Sequence, residues 1–186
     1  MSDTEFATGY LNALVRVLPQ LDAAKLGQAI GWLRETRDSG RMIYICGNGG
    51  SASIASQMVV DVVKGASFGR ERRYRMLALN DSLSTLTAYA NDEGYETVFV
   101  EPLRNFAEPG DVLIAISGSG NSANVLRAVE YANSAGCRTI GLTTGESGRL
   151  KDLVQLAIMV PTSHMGRLED CFFVATHVMC YALMQP

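Results

Sequence analysis

From residue 42 onwards, short apolar runs alternate with longer stretches in which apolar residues recur at helical spacing. The runs are apolar almost throughout rather than alternating, as is typical of strands buried on both faces of a parallel sheet. They cover residues 42–46, 76–79, 111–117, 139–143 and 156–160. The helical stretches cover residues 51–64, 82–90, 95–106, 122–135, 147–153 and 167–183. This order predicts an α/β fold with a doubly wound, five-stranded parallel sheet.

Two further helical patterns precede the first strand. Residues 4–18 carry Phe6, Tyr10 and Leu14 on one face, and a second helix is predicted from Asp22, a good N-cap, to a stop near Gly40. Residues 1–40 therefore form an N-terminal helical extension, which we expect to cover the sheet or to pair with another subunit. No internal stretch is rich in Pro, Ser or charge, so residues 1–186 are predicted to form a single domain.

Composition and charge narrow the class of protein. A chain of 186 residues with 47% hydrophobic and 19% charged residues is long enough and apolar enough for one well-buried domain, which excludes disorder. A net charge of −3 disfavours a broad nucleic-acid surface. One local basic patch remains, and we interpret it as a solvated connection between elements: Arg70, Arg72, Arg73 and Arg75.

The cysteines and the termini bear on location. Cys46, Cys137, Cys171 and Cys180 show no CxxC spacing and lie in apolar surroundings, which is typical of buried thiols in a reducing compartment. No secretory signal is visible, and no apolar run reaches the roughly 18 residues of a membrane span. We therefore expect a cytoplasmic protein without a membrane partner.

Two loops rich in glycine and serine follow two of the predicted strands. Residues 47–51 read GNGGS and residues 117–122 read SGSGNS, and each loop precedes a predicted helix. Free amides at a helix N-terminus attract phosphate, glycine lets the backbone come close, and the hydroxyls of Ser51, Ser117, Ser119 and Ser122 can add donors. Neither loop is a Walker loop, and the loose GxGxxG match has Ala52 in place of the third glycine. The alternative is that each loop is only a tight turn, but two such loops favour phosphate binding.

These motifs carry a resemblance to a known family. ISGSGNSANV (residues 116–125) and CGNGGS (residues 46–51), together with ANDEGY, GLTTGESG and the last helix, resemble the sugar isomerase (SIS) family. The similarity is to its branch that contains sedoheptulose-7-phosphate isomerase (GmhA) and the DnaA initiator-associating protein DiaA. It implies a flavodoxin-like three-layer sandwich. It also implies a phosphorylated sugar bound by Asn48, Gly49, Gly50, Ser51, Asn91, Asp92, Ser117, Gly118, Ser119, Ser122 and Glu169. Gly118 stands where the family has a threonine, so one hydroxyl is lost.

The resemblance further implies a catalytic constellation that is altered here. The family places a His and a Glu after the first loop and a Gln and a His in the last helix, where they hold zinc. The corresponding residues are Gln57, Asp61, Glu169 and His177, so only His177 is retained. Asp61 and His177 would be the acid/base pair at the mouth of the first loop. The four residues could hold one divalent cation with more oxygen character than a zinc site, or proton transfer could proceed without a metal.

Each of these side chains also has a structural interpretation. Asp61 lies between valines, where an unpartnered carboxylate would be costly, so a site role is favoured. His177 could be an ordinary core histidine, and Glu169 could interact with the helix dipole in the first turn of the last helix. His164, in the loop before that helix, could close over a bound sugar or have no role.

Two functions remain open from the sequence. The first is an aldose–ketose isomerase that converts sedoheptulose 7-phosphate to D-glycero-D-manno-heptose 7-phosphate through an enediol. The second is a non-catalytic module of the DiaA type that binds phosphosugars or proteins, which the loss of the family histidine at Gln57 favours. The retained carboxylates and His177 favour the isomerase, which is the leading hypothesis. The resemblance also implies a homotetramer with its active sites between subunits. The sequence does not fix the sugar's chain length or stereochemistry.

Overall fold

The sheet has the predicted five strands, all parallel, in the order β2-β1-β3-β4-β5. The computed structural model describes residues 1–146 and 148–185. The strands are β1 (Met42–Gly47), β2 (Arg75–Ala78), β3 (Val112–Ser117), β4 (Arg138–Thr144) and β5 (Leu156–Val160). From β1 the chain adds β2 on one side and β3 on the other, so the strand order reverses between β1 and β3. Ligands of open α/β sheets bind beside such a switch point.

Eight α-helices accompany the strands in the described part of the chain. They are α1 (Asp3–Val17), α2 (Ala23–Asp38), α3 (Gly50–Val60), α4 (Leu83–Asp92), α5 (Val100–Phe106), α6 (Ala123–Ser134), α7 (Leu150–Leu153) and α8 (Met165–Met184). Asp22 caps α2, because its Oδ1 accepts from the backbone N–H groups of Ala24 and Lys25. A π-helical turn, Asp61–Gly65, continues α3. The helix predicted over residues 95–106 is divided into a 3₁₀ turn and α5. Of the helix predicted over residues 147–153, the structure has α7 from Leu150, and the predicted start, Ser147, lies outside the described residues.

Helices cover both faces of the sheet, which confirms the doubly wound fold. Alternate residues of β1 point to opposite sides. Ile43 and Ile45 join a core cluster with α2, α3 and α8, whereas Tyr44 and Cys46 join a second cluster with α5, α6 and α7. The three layers are therefore two helical layers and the sheet between them, and the loops at the carboxyl ends of β1 and β3 are held on a rigid frame.

Helix α1 contributes little to this core. None of its residues is buried, and Phe6, Leu11 and Val15 are exposed. On α8, Val174, Val178 and Tyr181 are also exposed. The predicted N-terminal helices are thus present, and they leave an apolar surface uncovered in the single chain.

The basic patch has a structural role that its sequence did not reveal. The guanidinium of Arg70 donates to the backbone carbonyls of Leu183, Met184 and Gln185, at the end of α8. Arg75 Nη1 donates to the Gly40 carbonyl, 2.9 Å away, where the chain leaves α2. The interpretation as a merely solvated connection is therefore wrong for these two arginines, which tie helix ends to the loop before β2.

All four cysteines are free and buried. Burial raises the pKa of Cys46 and of Cys180 to about 12 and that of Cys137 to about 11, and it also raises the pKa of Cys171. Thiolates are the reactive form, so the thiols of the folded protein should be inert to thiol reagents. We expect no rapid reaction with Ellman's reagent at pH 8 and four equivalents after denaturation. One fast thiol in the native protein would contradict this.

No helix in residues 1–146 and 148–185 combines the length and the apolar character needed to cross a membrane.

Candidate active site

The loops after β1 and β3 enclose a cavity of about 330 Å³ together with the start of α8. Its walls contain every predicted substrate-binding residue except Asn91 and Asp92. The lining residues are Asn48, Gly49, Gly50, Ser51, Ile116, Ser117, Gly118, Ser119, Ser122, Met165 and Glu169. The two glycine-serine loops, separated by 65 or more residues in the sequence, thus form one site at the switch point of the sheet.

Two helix N-termini point into this cavity. Helix α3 begins immediately after Gly49, whose φ of 54° is strained for any residue with a Cβ. Helix α6 begins after Ser122, whose side chain forms no capping hydrogen bond and instead lies 3.1 Å from the Ser117 hydroxyl. Amides at the two helix starts and the serine hydroxyls therefore face the same space, an arrangement that suits a phosphate group.

Met165 is a cavity residue that the sequence did not reveal. A Cβ placed on Gly118 would lie 2.8 Å from the Met165 Sδ atom, so the thioether fills the space beside this glycine. A threonine, the residue of the family at this position, would collide with it. A methionine at a helix start resembles any core residue in a sequence, and no signal distinguishes it.

Glu169 lies on α8 against the first residue of α3. The Glu169 carboxylate occupies the space that a Cβ on Gly50 would need, so a larger residue at position 50 would displace it. The carboxylate is at the positive end of the α3 dipole, which stabilises its charge. It offers the cavity an acceptor for sugar hydroxyl groups, consistent with its predicted place in the substrate site.

The predicted acid/base residues meet each other. His177 Nε2 lies 3.6 Å from Asp61 Oδ2, and Gln57 Nε2 donates to Asp61 Oδ1 at 3.3 Å. The side chain of Asp61 is 17% exposed and that of His177 is 46% exposed, so His177 is not a core histidine. Asp61 Oδ2 is buried and has no hydrogen-bond partner. It is an acceptor held ready for a proton or a cation.

The pair lies at the far end of α3 from the cavity. The helix rises 1.5 Å per residue, so Asp61 is about 16 Å along the axis from Gly50, and His177 is about 12 Å along α8 from Glu169. The expectation that both residues sit at the mouth of the first loop is therefore wrong for a single chain. The two helices run in the same direction, with Gly50 beside Glu169 at one end and Asp61 beside His177 at the other.

The predicted metal ligands are only partly assembled. Gln57, Asp61 and His177 converge, but Glu169 is two helical turns away. Among the described residues, no three His, Cys, Asp or Glu side chains are grouped so that they could hold a metal ion. The unpartnered Asp61 Oδ2 beside an imidazole nitrogen fits a divalent cation in part. A complete ligand set would need donors from outside the chain.

Asn91, Asp92 and His164 lie outside the cavity of this chain. Asn91 Nδ2 donates to Asp92 Oδ1 at 2.7 Å near the end of α4, and Asp92 lines a separate open cavity with Ser84 and Tyr89. His164 caps α8, and its Nδ1 accepts from the Arg167 backbone N–H at 3.4 Å. Of the two possibilities for His164, closure over the sugar has no support in this geometry, which shows a helix cap instead.

The cavity at the switch point of the sheet suits a phosphate group, and a carboxylate–imidazole pair lies on two parallel helices. Together with the doubly wound fold, these features indicate the class of α/β proteins that bind phosphorylated ligands. The SIS domain profile matches residues 8–144, and the chain belongs to this family. Curated relatives named phosphoheptose isomerase include proteins of Nitratiruptor sp. and Geobacter sulfurreducens. The first is 45% identical over 75% of this chain and 74% of its own length. The second is 36% identical over 93% of each.

Two solved structures match the fold of this protein over nearly its whole length. The phosphoheptose isomerase GmhA of Neisseria gonorrhoeae is 27% identical, covers 98% of both chains and superposes with a TM-score of 0.90. A phosphoheptose isomerase of Francisella tularensis is 25% identical, covers 100% of both chains and has a TM-score of 0.92. These similarities confirm the resemblance drawn from the two loops, the motifs between them and the last helix.

Proposed function

We propose that this protein is a ketose-phosphate isomerase that interconverts sedoheptulose 7-phosphate and D-glycero-D-manno-heptose 7-phosphate. The observation that carries the proposal is the cavity, in which both glycine-serine loops and two helix N-termini converge. The names of the relatives supply the substrate class. A heptose phosphate would place its phosphate among Ser117, Ser119 and Ser122.

In the proposed reaction, a proton moves between two adjacent carbons through an enediol. Asp61 would be the base, because its Oδ2 is buried and has no other partner. His177, beside it, would donate the proton to the substrate oxygen or return it to carbon. Both side chains belong to one site because the two atoms are 3.6 Å apart.

The separation between the cavity and the acid/base pair favours a site completed by a second subunit. A sugar held in the cavity at Ser119, beside the start of α3, does not meet Asp61 of the same chain, which lies at the other end of that helix. We therefore infer a homotetramer in which the cavity of one subunit faces the pair of another. The exposed apolar residues of α1 and α8, among them Phe6, Leu11 and Val178, offer surfaces for this assembly.

Light scattering at micromolar concentration tests the assembly. The expected mass is about 80 kDa, four times the 20.1 kDa of one chain. Replacing Leu11 and Val15 with glutamate should shift the mass towards smaller species, since charge on an apolar interface opposes association. A wild-type mass of 20.1 kDa would rule out a shared site.

We also propose that Gln57, Asp61 and His177 contribute ligands to one divalent cation. Zinc is the family's metal, and a bound cation would polarise the substrate carbonyl. Metal analysis of the purified tetramer tests this, and a metal content that is unchanged in Asp61→Asn would place the ion elsewhere. The buried free thiols accord with a cytoplasmic location, which we propose as well.

The proposed activity is tested with a panel of ketose phosphates, with and without added Zn²⁺ or Mn²⁺, by following aldose formation. We expect activity on a seven-carbon substrate, and Ser119→Ala and Ser122→Ala should each weaken substrate binding by about 1 kcal/mol or more. Tight binding of ketose phosphates without turnover of any would favour the second candidate, a non-catalytic binding module. The observation that favours a non-catalytic binding module is the glutamine at position 57, in place of the family histidine.

A further inference from the structure

Two side chains from separate parts of the chain, Asn124 and Tyr95, fix the amide of Asn48 at the cavity wall. Asn48 Oδ1 accepts from Asn124 Nδ2 at 2.9 Å and from the Tyr95 hydroxyl at 3.0 Å. Asn48 Nδ2 donates to Asn124 Oδ1, also at 2.9 Å. The amides of Asn48 and Asn124 therefore each donate to and accept from the other, and the Tyr95 hydroxyl donates a further hydrogen bond to the Asn48 oxygen.

A backbone group sets the direction of every bond in this network. The N–H of Val125 can only donate, and it lies 3.0 Å from Asn124 Oδ1, so this atom is the oxygen of the Asn124 amide. The Asn124 nitrogen then faces Asn48, whose oxygen must be the atom that receives it. Asn124 is 3% exposed, so its amide is sheltered from water, whereas the bond from the Tyr95 hydroxyl is exposed.

Counting donors and acceptors shows what Asn48 can still do. An amide oxygen has two lone pairs, and both are used, one by Asn124 and one by Tyr95. The amide nitrogen has two hydrogens, and one of them goes to Asn124. A single N–H is left, and Asn48 lines the cavity.

We propose that Asn124 and Tyr95 are positioning residues that make Asn48 a donor only, so that its one free N–H is presented to an acceptor oxygen on the sugar part of the phosphorylated sugar. An unrestrained asparagine could rotate and accept from a hydroxyl instead. The contact lies beside the start of α3, whose first residue, Gly50, is about 16 Å along the helix axis from Asp61. It therefore governs substrate affinity rather than the proton-transfer step. The inference rests on the proposed function for the identity of the ligand.

A double-mutant cycle between Asn48→Ala and Tyr95→Phe tests the proposal, with affinity for sedoheptulose 7-phosphate measured by calorimetry. Tyr95 is exposed, so its conversion to phenylalanine removes one hydroxyl without risk to the core. We expect Asn48→Ala to weaken binding about 10-fold and Tyr95→Phe about 3-fold. In the Asn48→Ala background, Tyr95→Phe should have no further effect, because its hydroxyl acts through the missing amide.

Three readouts separate positioning from a general structural role. Affinity for inorganic phosphate should stay within about 2-fold of wild type in all variants, since the serine loops are intact. In the isomerase assay KM should rise while kcat is retained. Tyr131→Phe is the matched control, because Tyr131 lies on the same helix as Asn124 but stacks under Arg104, and it should behave as wild type.

The proposal is overturned if Tyr95→Phe binds the sugar phosphate as wild type does, or if its effect persists in full without Asn48. It is also overturned if the wild type binds no sugar phosphate. Failure of the proposed function alone has a different signature. In that case the wild type binds the sugar phosphate without isomerising it, and the coupling between Asn48 and Tyr95 still appears in the dissociation constants.

Discussion

Replacement of Asp61 by asparagine is expected to lower turnover of a ketose phosphate by about 100-fold or more, while the substrate still binds. The substitution nearly preserves volume and can keep the contact with Gln57, but an amide cannot take a proton from carbon. The affected atom is Oδ2, which is buried and has no competing partner in the wild type. The change should therefore appear in kcat rather than in KM.

His177→Gln should produce a loss of similar size, and the double variant should lose little more, because two members of one proton-transfer unit are not additive. Asp152→Asn provides a matched control, since it removes an exposed carboxylate on α7. Steady-state kinetics with sedoheptulose 7-phosphate supplies the measurement. Full turnover in Asp61→Asn would remove the pair from the mechanism and leave the base to be sought elsewhere.

Gly47→Ala is expected to give the largest combined loss of stability and ligand affinity. Gly47 ends β1 and pairs with Ile116 of β3. A Cβ at Gly47 would lie 2.7 Å from Ser51 Cβ and 2.9 Å from the backbone carbonyl of Ser51. Because the obstacle includes backbone of the first turn of α3, relief requires the helix start to move. We expect a loss of about 2 kcal/mol in the free energy of unfolding and at least about a 10-fold weaker affinity for phosphate.

Gly27→Ala provides the contrasting control. Gly27 lies in α2, and no atom is within 4 Å of the position of an added Cβ. Alanine there should raise stability by about 0.5–1 kcal/mol, because glycine is a poor residue for a helix interior. Denaturant unfolding and phosphate titration measure both effects. An alanine tolerated at Gly47 with phosphate affinity intact would show that close backbone approach is not needed in this loop.

The sequence by itself determined the fold of the protein and most of the residues that line its cavity. Strands buried on both faces read as unbroken apolar runs, so β1 through β5 could be placed within a residue or two from their local pattern. Because the carboxyl ends of parallel strands lie at one edge of the sheet, the loops around Asn48 and Ser119 could be assigned to one site without coordinates.

Contacts that depend on how the helices pack against each other could not be predicted from local sequence patterns. Periodicity places Gln57 and Asp61 on one helix face, but the length of α3 carries Asp61 away from the cavity that begins at Gly50, and this is a property of the helix in space. The contact of Glu169 with Gly50 depends on α3 and α8 running side by side in the same direction. No local pattern encodes that relation.

The polar network at Asn48 is a second example. Asn48, Tyr95 and Asn124 have ordinary loop and helix environments in the sequence, and each alone is typical of a turn or a cap. Only the packing of the segment around Tyr95 against the starts of α3 and α6 brings them within hydrogen-bonding distance. Local sequence determines which groups leave the end of each strand, whereas the tertiary structure decides which of them meet, because side-chain contacts form between elements distant along the chain.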